Sequence, residues 1–178
     1  MRGLRVALVD RGDFAGETSS RSSKLIHGGF RYLARLQLRL VYAALRERER
    51  LRRVTAPHLV HPIQFLFPAY RGRGFGRLTM AVGLTLYDLL AKIPRGERHR
   101  NLDAAGVLGM EPLLSRDSLD GGALYYDARG DDARLTIENV LDASLHGAAV
   151  ANYLEVTGIS KSRGRIAAVE ARDRLGDG

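Results

Sequence analysis

A segment rich in hydroxyl side chains and glycine, residues 18–33 (TSSRSSKLIHGGFRYL), lies between two hydrophobic parts of the chain. Short hydroxyl side chains can cap the start of a helix and leave its backbone N–H groups, at the positive end of the helix dipole, available to phosphate. Gly28 and Gly29 allow the backbone to approach a flat ring closely. A serine-rich loop that leads into an ordinary capped helix is the alternative, and the flanking residues favour the phosphate site.

The residues before this segment are typical of a dinucleotide site. Residues 4–9 (LRVALV) read as a short buried strand, and Asp10 follows directly. In dinucleotide-binding α/β domains, a carboxylate at the carboxyl end of the second strand accepts hydrogen bonds from the adenosine ribose, roughly 20 residues after a glycine-rich turn. We therefore predict that Asp10 contacts such a ribose.

The chain after residue 33 predicts an amphipathic helix with a solvated face. Charges of both signs alternate over residues 46–53, and Glu49 and Arg53 are spaced for an i,i+4 ion pair worth about 0.3 kcal/mol. Pro57 ends the helix. The apolar residues that recur at helical spacing are Leu36, Leu40, Ala44, Leu51 and Val54.

A second predicted helix, residues 78–91, lies between basic flanks. Gly83 and Asp88 interrupt its apolar run, which is shorter than the roughly 20 residues that a membrane span needs. The helix can be interpreted as a core helix or as a helix on a membrane surface, and the pattern favours the core helix. The flanks that would attract anionic lipid contain Arg71, Arg73, Arg77, Lys92, Arg95, Arg98 and Arg100.

Strands are predicted before this helix and near the carboxyl end of the chain. Residues 62–70 (PIQFLFPAY), 150–159 and 165–173 read as strands, the last two separated by the turn SRG. Residues 130–148 read as a helix with acids in its first turn and with Leu135, Val140, Leu141 and Leu145 facing inward. His58 and His61 lack the further ligands that a metal site needs.

In collinear order these stretches resemble the amino-terminal part of FAD-dependent glycerol-3-phosphate dehydrogenases of aerobic glycerol catabolism. The resemblance runs from RGLRVALVDRGDFAGETSSRSSKLIHGGFRYL through LRLVYAALRERERL and APHLVHPIQFLFP to YYDARGDDARLTIENVLDASLHGA. It implies an α/β fold: an incomplete Rossmann-like FAD-binding domain of the glutathione-reductase or amino-acid-oxidase type with an inserted α+β substrate region. Residues 1–57 and 129–178 would form the FAD-binding domain, and residues 58–128 the insertion.

The resemblance also implies segments on either side of this chain. A strand with a G-x-G-x-x-G turn would precede Met1, and further arginines and a second flavin segment would follow Gly178. We therefore expect an amino-terminal fragment of a longer enzyme. Asp10 stands where the family more often has glutamate, which keeps the hydrogen-bond acceptor but shortens its reach.

The resemblance assigns roles to individual residues. His27, Arg31 and Tyr32 would be catalytic: His27 as an acid–base group, since imidazole titrates near neutral pH, and Arg31 as a partner of phosphate or of the carbonyl oxygen. A histidine that only hydrogen-bonds flavin and an arginine in a surface salt bridge are the alternatives. The residues implied at FAD are Asp10, Arg11, Thr18, Ser19, Ser20, Ser23, Lys24, Leu25, Ile26, His27, Gly28, Gly29 and Val156.

The implied reaction is the oxidation of sn-glycerol 3-phosphate to dihydroxyacetone phosphate, with hydride transfer to FAD and electrons passed to a quinone. Alternatives are a glycerophosphate oxidase that uses oxygen and a vestigial, non-catalytic flavin-domain module. The expected location is the cytoplasm, with peripheral contact at the inner face of the cytoplasmic membrane. For the oligomeric state, both a monomer and a homodimer agree with the sequence.

Composition narrows the classes of partner and of metal site that the chain can have. Lysine and arginine number 28 against 20 acids, for a net charge of +8, but the arginines are scattered among acids and accompany no recognition motif. We therefore expect no nucleic-acid partner. The absence of cysteine excludes disulfides and thiolate metal sites. The 178 residues, 45% of them hydrophobic, suffice for a core.

Overall fold

The structure, a computed structural model, describes residues 3–33 and 35–176. The chain divides into two compact units: Met1–Ser23 with Asp131–Gly178 form the first unit, and Lys24–Gly130 form the second unit. The predicted boundaries after residues 57 and 128 concern cofactor and substrate regions, and that division stays a prediction.

The strands are β1 (Ala7–Val9), β2 (Leu25–Ile26), β3 (Val60–Tyr70), β4 (Arg100–Leu102), β5 (Leu119–Gly130), β6 (Ala149–Ala151), β7 (Leu154–Ser162) and β8 (Arg165–Asp173). The helices are α1 (Phe30–Leu33), α2 (Leu38–Arg50), α3 (Arg77–Ala91), α4 (Ala104–Met110) and α5 (Asp132–Leu145). From β3 to β6 strands and helices alternate, whereas α1 is followed directly by α2 and the described chain ends in three strands. A π-helical turn, Leu51–Thr55, continues α2, and a 3-10 turn covers Thr18–Ser20.

The first unit contains the parallel strand pairing of an α/β fold. Strand β1 pairs in parallel with β6, from Ala7 opposite Ala149 to Val9 opposite Ala151, and α5 leads into β6. Parallel neighbours require a long crossover, which is usually helical. Strands β7 and β8 form an antiparallel hairpin whose turn places Arg163 and Gly164 at positive φ. The α/β class and the SRG turn between two strands are confirmed, but the strand predicted over residues 150–159 is divided between β6 and β7 by a bend at Asn152 and Tyr153.

Two expectations about burial in the first unit are wrong. Residues 4–9 are exposed rather than buried, because within the described residues β1 has a hydrogen-bonded neighbour only at β6. In α5, Val140 is buried, whereas Leu141 and Leu145 are 48% and 85% exposed. Successive residues of a helix are turned by about 100°, so Leu141 and Leu145 point away from the direction that Val140 occupies.

The second unit is built on an antiparallel sheet around β5. Strand β3 pairs with β5 along its whole length, from Val60 opposite Gly130 to Tyr70 opposite Leu119, and β2 and β4 pair with the other edge of β5. The prolines at 62 and 68 are tolerated because β3 pairs on one side only within the described sheet. The predicted strand over residues 62–70 is confirmed, and β5 extends well beyond the YYD triplet at its centre.

The core of the second unit lies where α2 and α3 pack against this sheet. One buried cluster joins Leu33, Val41, Leu45, Tyr87 and Ile93, and a second joins Ala69, Met80, Leu84 and Ala123; the Phe30 ring packs against both. The inner face of α2 is therefore formed by Val41, Leu45 and Arg48. Of the apolar residues singled out from the sequence, Leu36, Leu40 and Val54 are exposed, and Ala44 and Leu51 are half-buried.

Helix α3 confirms the helix predicted over residues 78–91. One of its faces is buried in the core, as the favoured interpretation expected. Met80, Leu84 and Tyr87 are buried, whereas Leu78, Val82 and Leu89 on the opposite face are more than 60% exposed. Across residues 3–33 and 35–176, no helix combines the length and the apolar character needed to traverse a bilayer.

The predicted ion pair on α2 is confirmed and belongs to a larger group. Glu49 accepts hydrogen bonds from Arg53 Nε at 2.8 Å and from Arg52 Nη2 at 3.1 Å, and Arg52 also pairs with Glu97 at 2.7 Å. Burial alone would raise the pKa of Glu49, but the hydrogen bond from Arg53 and the charges of Arg48 and Arg52 outweigh it and lower that pKa.

Candidate functional site

The backbone at the paired glycines is enclosed by the chain itself. Strand β2 ends at Ile26, His27 follows, and Gly28 and Gly29 are buried just before α1. A Cβ atom on Gly28 would overlap the Leu45 side chain and the Tyr87 hydroxyl. Gly29 has φ of +72°, and a Cβ there would lie 2.5 Å from Tyr32 Cδ2. Both positions therefore require glycine for reasons internal to the second unit.

A buried polar cluster holds the Gly28 peptide. The Gly28 N–H donates to Tyr87 Oη at 3.0 Å and to Asp127 Oδ1 at 3.1 Å. The Tyr87 hydroxyl donates to the Asp127 carboxylate, 3.2 Å from either oxygen, and Arg48 Nη1 donates to Asp127 Oδ1 at 2.6 Å. Arg48, Tyr87 and Asp127 are 3%, 0% and 5% exposed. We call these three side chains the buried clamp.

The electrostatics of the buried clamp keep Arg48 charged and Tyr87 neutral. Burial alone would lower the pKa of Arg48, but the interactions with Tyr87 and Asp127 outweigh it and raise that pKa. Burial, followed by the charge of Asp127, raises the pKa of Tyr87 well above its ordinary value. The Tyr87 hydroxyl therefore stays protonated and acts as the hydrogen-bond donor to Asp127.

A cleft of about 200 Å³ lies beside the clamp, within the second unit. Exposed His27 lines it together with Gly29, Tyr32 and Asp127, and an aromatic wall adds Phe30, Phe65, Phe67 and Tyr125. The rings of Phe65 and Tyr125 stack with centroids 5.5 Å apart. Burial, with the charge of Asp127 as the second cause, raises the pKa of Tyr125 to about 12. The cleft can therefore present a flat apolar wall and an imidazole to the same bound molecule.

The structure brings only some of the predicted site residues to this cleft. Leu25, His27, Gly29 and Tyr32 line it. Ile26 pairs with Ala128 in the sheet, and Lys24, at φ of 59°, accepts a hydrogen bond from the Gly130 N–H through its carbonyl. Arg31 belongs to α1, but its side chain lies outside the described part of the structure.

The remaining predicted residues belong to the first unit. Asp10 is fixed at the carboxyl end of β1, because its Oδ1 accepts from the Gly12 N–H at 2.9 Å and its carbonyl accepts from the Leu154 N–H at 2.8 Å. Exposed Arg11 follows it. Val156 lies in β7 opposite Ala171, next to a register shift, and is half-exposed. Their contacts with a cofactor stay predictions.

The hydroxyl side chains of this segment make hydrogen bonds within the first unit. Thr18, Ser19 and Ser20 form the 3-10 turn, where Ser20 donates to the Ala15 carbonyl at 2.5 Å. Thr136 of α5 donates to Ser19 at 3.4 Å, and exposed Ser23 is the last residue of the amino-terminal segment of the first unit. The α5 start is capped instead by the Asp131 carboxylate, which accepts from the Arg134 N–H. The capping role expected of these hydroxyls stays a prediction.

Sequence reasoning missed the buried clamp, although a signal was present. Arg48 lies seven residues after Val41 and three after Leu45, so it occupies the inward stripe of α2. Asp127 interrupts the apolar run of β5, and Tyr87 sits in the apolar face of α3. A charge on a buried stripe of one element and an opposite charge inside a strand indicate a paired, buried site.

Comparison with known proteins identifies relatives along the whole chain. Residues 1–177 match the family described as FAD dependent oxidoreductase. Over 175 residues the chain is 42% identical to the aerobic glycerol-3-phosphate dehydrogenase of Staphylococcus haemolyticus, an alignment that covers 98% of this chain and 31% of that protein. The chain therefore spans about a third of the length of the curated relatives it matches.

Solved structures share the fold. The glycerol-3-phosphate dehydrogenase from Bacillus halodurans, complexed with FAD, superposes with a TM-score of 0.68 at 30% identity and covers 98% of this chain and 26% of that chain. The L-alpha-glycerophosphate oxidase from Mycoplasma pneumoniae, with FAD bound, has a TM-score of 0.63 at 21% identity, over 89% of this chain and 41% of that one. The chain belongs to the FAD-dependent oxidoreductase family.

Proposed function

We propose that the protein carrying this chain binds FAD and oxidises sn-glycerol 3-phosphate to dihydroxyacetone phosphate. The observation that carries the proposal is the 42% identity to an aerobic glycerol-3-phosphate dehydrogenase along 98% of the chain. The cleft lined by His27 and Gly29 supports it, because it places an acid–base group beside a flat apolar wall.

The residues present fit a dinucleotide in each unit taken separately. In the first unit, Asp10 is held at the carboxyl end of a parallel strand by the Gly12 N–H, as a ribose acceptor must be. In the second unit, Gly29 at positive φ lines the cleft without a side chain that would fill it. When bound, FAD would accept the hydride from the substrate carbon. Asp10, Arg11 and Val156 would hold its adenosine part, and the remaining predicted residues its phosphates and ring.

The chain's own part in the reaction is to orient the substrate and move a proton. His27 would take the proton of the substrate C2 hydroxyl as the hydride leaves. Arg31 would bind the phosphate or the developing carbonyl oxygen through its planar guanidinium. Tyr32, which lines the same cleft as His27, would lie beside the substrate at the edge of the site.

The test is steady-state reduction of a soluble dye by the purified protein. We expect turnover with sn-glycerol 3-phosphate and none with glycerol, because glycerol lacks the phosphate that Arg31 would bind. L-proline and glycine serve as further controls, since dehydrogenases and oxidases of these amino acids share the fold. Oxidation of an amino acid without oxidation of glycerol 3-phosphate would refute the proposal.

We further propose a quinone as the electron acceptor, at the inner face of the cytoplasmic membrane. The word aerobic in the name of the Staphylococcus relative supports respiratory use of the electrons. An oxidase that passes electrons to oxygen is the second candidate, because the Mycoplasma oxidase shares the fold. Measuring hydrogen peroxide alongside reduction of a short-chain quinone separates the two: stoichiometric peroxide would indicate the oxidase.

A further inference from the structure

Three elements supply the buried clamp around one backbone N–H group, that of Gly28. Tyr87 from α3 and Asp127 from β5 both accept a hydrogen bond from the Gly28 N–H group, and Arg48 from α2 donates to the same Asp127 oxygen. Burying a charged pair costs several kcal/mol of desolvation, so such a pair adds little net stability over apolar residues of similar size. Stability alone therefore gives little reason for an ion pair at this place.

The peptide that the clamp holds is the one that joins His27 to Gly28. Its N–H group has two acceptors at 3.0 and 3.1 Å, which restrict rotation about the backbone of His27. Leu45 and Tyr87 also fill the space where a Gly28 side chain would be, so the peptide cannot shift toward them. The backbone that carries the exposed, cleft-lining His27 is therefore held by buried residues, of which Asp127 also lines the cleft.

We propose that Arg48, Tyr87 and Asp127 are positioning residues that fix the His27–Gly28 peptide and thereby aim the His27 imidazole at the substrate hydroxyl. The proposal rests on the function proposed above. Arg48 neutralises the Asp127 carboxylate, Asp127 orients the Tyr87 hydroxyl, and both oxygens hold the N–H of Gly28. Proton transfer is sensitive to such placement, since an error of 1 Å costs roughly 100-fold in rate.

The deciding variant is Tyr87→Phe, which removes one hydroxyl and keeps the buried ring. Its matched control is Tyr126→Phe on β5, whose hydroxyl accepts a hydrogen bond from Gln64 and makes no contact with the Gly28 peptide among the described hydrogen bonds. Two readouts are needed: hydrogen–deuterium exchange of the amides over residues 25–30, and kcat and KM per bound flavin. Arg48→Lys, which keeps the charge but loses the planar fork, is the second variant should Tyr87→Phe fold poorly.

We expect Tyr87→Phe to speed amide exchange over residues 25–30 and to lower kcat per bound flavin about 10-fold or more. KM and flavin content should stay near those of the unmodified protein, and Tyr126→Phe should change neither readout. Unchanged exchange, or faster exchange with an unchanged kcat per bound flavin, would overturn the positioning role. The exchange measurement needs no substrate, so failure to oxidise glycerol 3-phosphate refutes the proposed function and leaves this test standing.

Discussion

Gly28 is a residue whose identity is set by its neighbours rather than by its backbone angle. Its φ lies outside the left-handed region, unlike that of Gly29, so an alanine would fit its local conformation. Leu45 and Tyr87 are fully buried and occupy the space beside its Cα. They cannot retreat without disturbing the core cluster around α2 and α3.

Gly28→Ala should therefore lower the free energy of unfolding by about 1–3 kcal/mol, the usual cost of overfilling a packed core. Chemical denaturation followed by circular dichroism measures it. Gly109→Ala in α4 is the control, because the added Cβ meets nothing within 4 Å beyond its chain neighbours and the backbone of its own helix, and alanine favours a helix. A Gly28→Ala protein as stable as the Gly109→Ala protein would show that Leu45 and Tyr87 can yield.

Arg31→Ala tests the predicted contact with the substrate. We expect kcat/KM for glycerol 3-phosphate to fall roughly 10- to 100-fold, because a charge-assisted hydrogen bond is worth about 1.5–3 kcal/mol. Flavin content should persist. Arg39→Ala, which removes an exposed charge from α2, should leave kinetics unchanged. Wild-type kinetics in Arg31→Ala would exclude the substrate role and leave the salt-bridge alternative.

At the scale of elements, α2 carries an ion-pair group around Glu49, and the contribution of this group to the free energy of unfolding depends on pH. The pKa of Glu49 in the folded protein lies below its ordinary value. A carboxylate with a lowered pKa stabilises the fold at pH values above its unfolded pKa, and this stabilisation is lost as the pH falls through the folded pKa. The gain from Glu49 should therefore be complete at neutral pH and absent in strong acid.

Glu49→Gln should lower the free energy of unfolding by about 1–2 kcal/mol at neutral pH, through loss of its charged hydrogen bonds to Arg52 and Arg53. The difference from the unmodified protein should shrink as the pH falls below about 4.3, where an unfolded glutamate is protonated. Urea titrations at several pH values measure it. Glu47→Gln, at an exposed position of α2, is the control. A difference independent of pH would assign the effect to packing.

Helix α3 has an exposed apolar face, and the prediction of a peripheral membrane contact can be tested there. Leu78, Val82 and Leu89 are exposed, and each nearby arginine would contribute about 1 kcal/mol at anionic lipid. Replacing Arg71, Arg73 and Arg77 by glutamine should reduce co-sedimentation with anionic liposomes at low salt but leave the rate of soluble-dye reduction unchanged. The control variant replaces three exposed arginines of the first unit by glutamine: Arg163, Arg165 and Arg172. Full sedimentation of the α3 variant would exclude these arginines as an anchor.

At the scale of the whole molecule, the two compact units carry different parts of the predicted site. The first unit holds the strand-end carboxylate of Asp10 and the hairpin with Val156. The second holds the cleft with His27 and Tyr32, supported by an antiparallel sheet and two packed helices. Each part could be recognised in the sequence because its residues are close along the chain: a strand followed by an acid, and the run SKLIHGGFRYL.

The sequence by itself determined the local elements: periodicity and turn residues predicted α3, β3 and the β7–β8 hairpin, and the i,i+4 spacing predicted the pair of Glu49 and Arg53. These rest on interactions between residues near each other in the chain. Tertiary structure decided which faces are buried, so Leu141 and Leu40 are exposed while Arg48 is not. It also brought Arg48 to Asp127, 79 residues away, because the pairing of an inward charge depends on which distant strand packs against its helix.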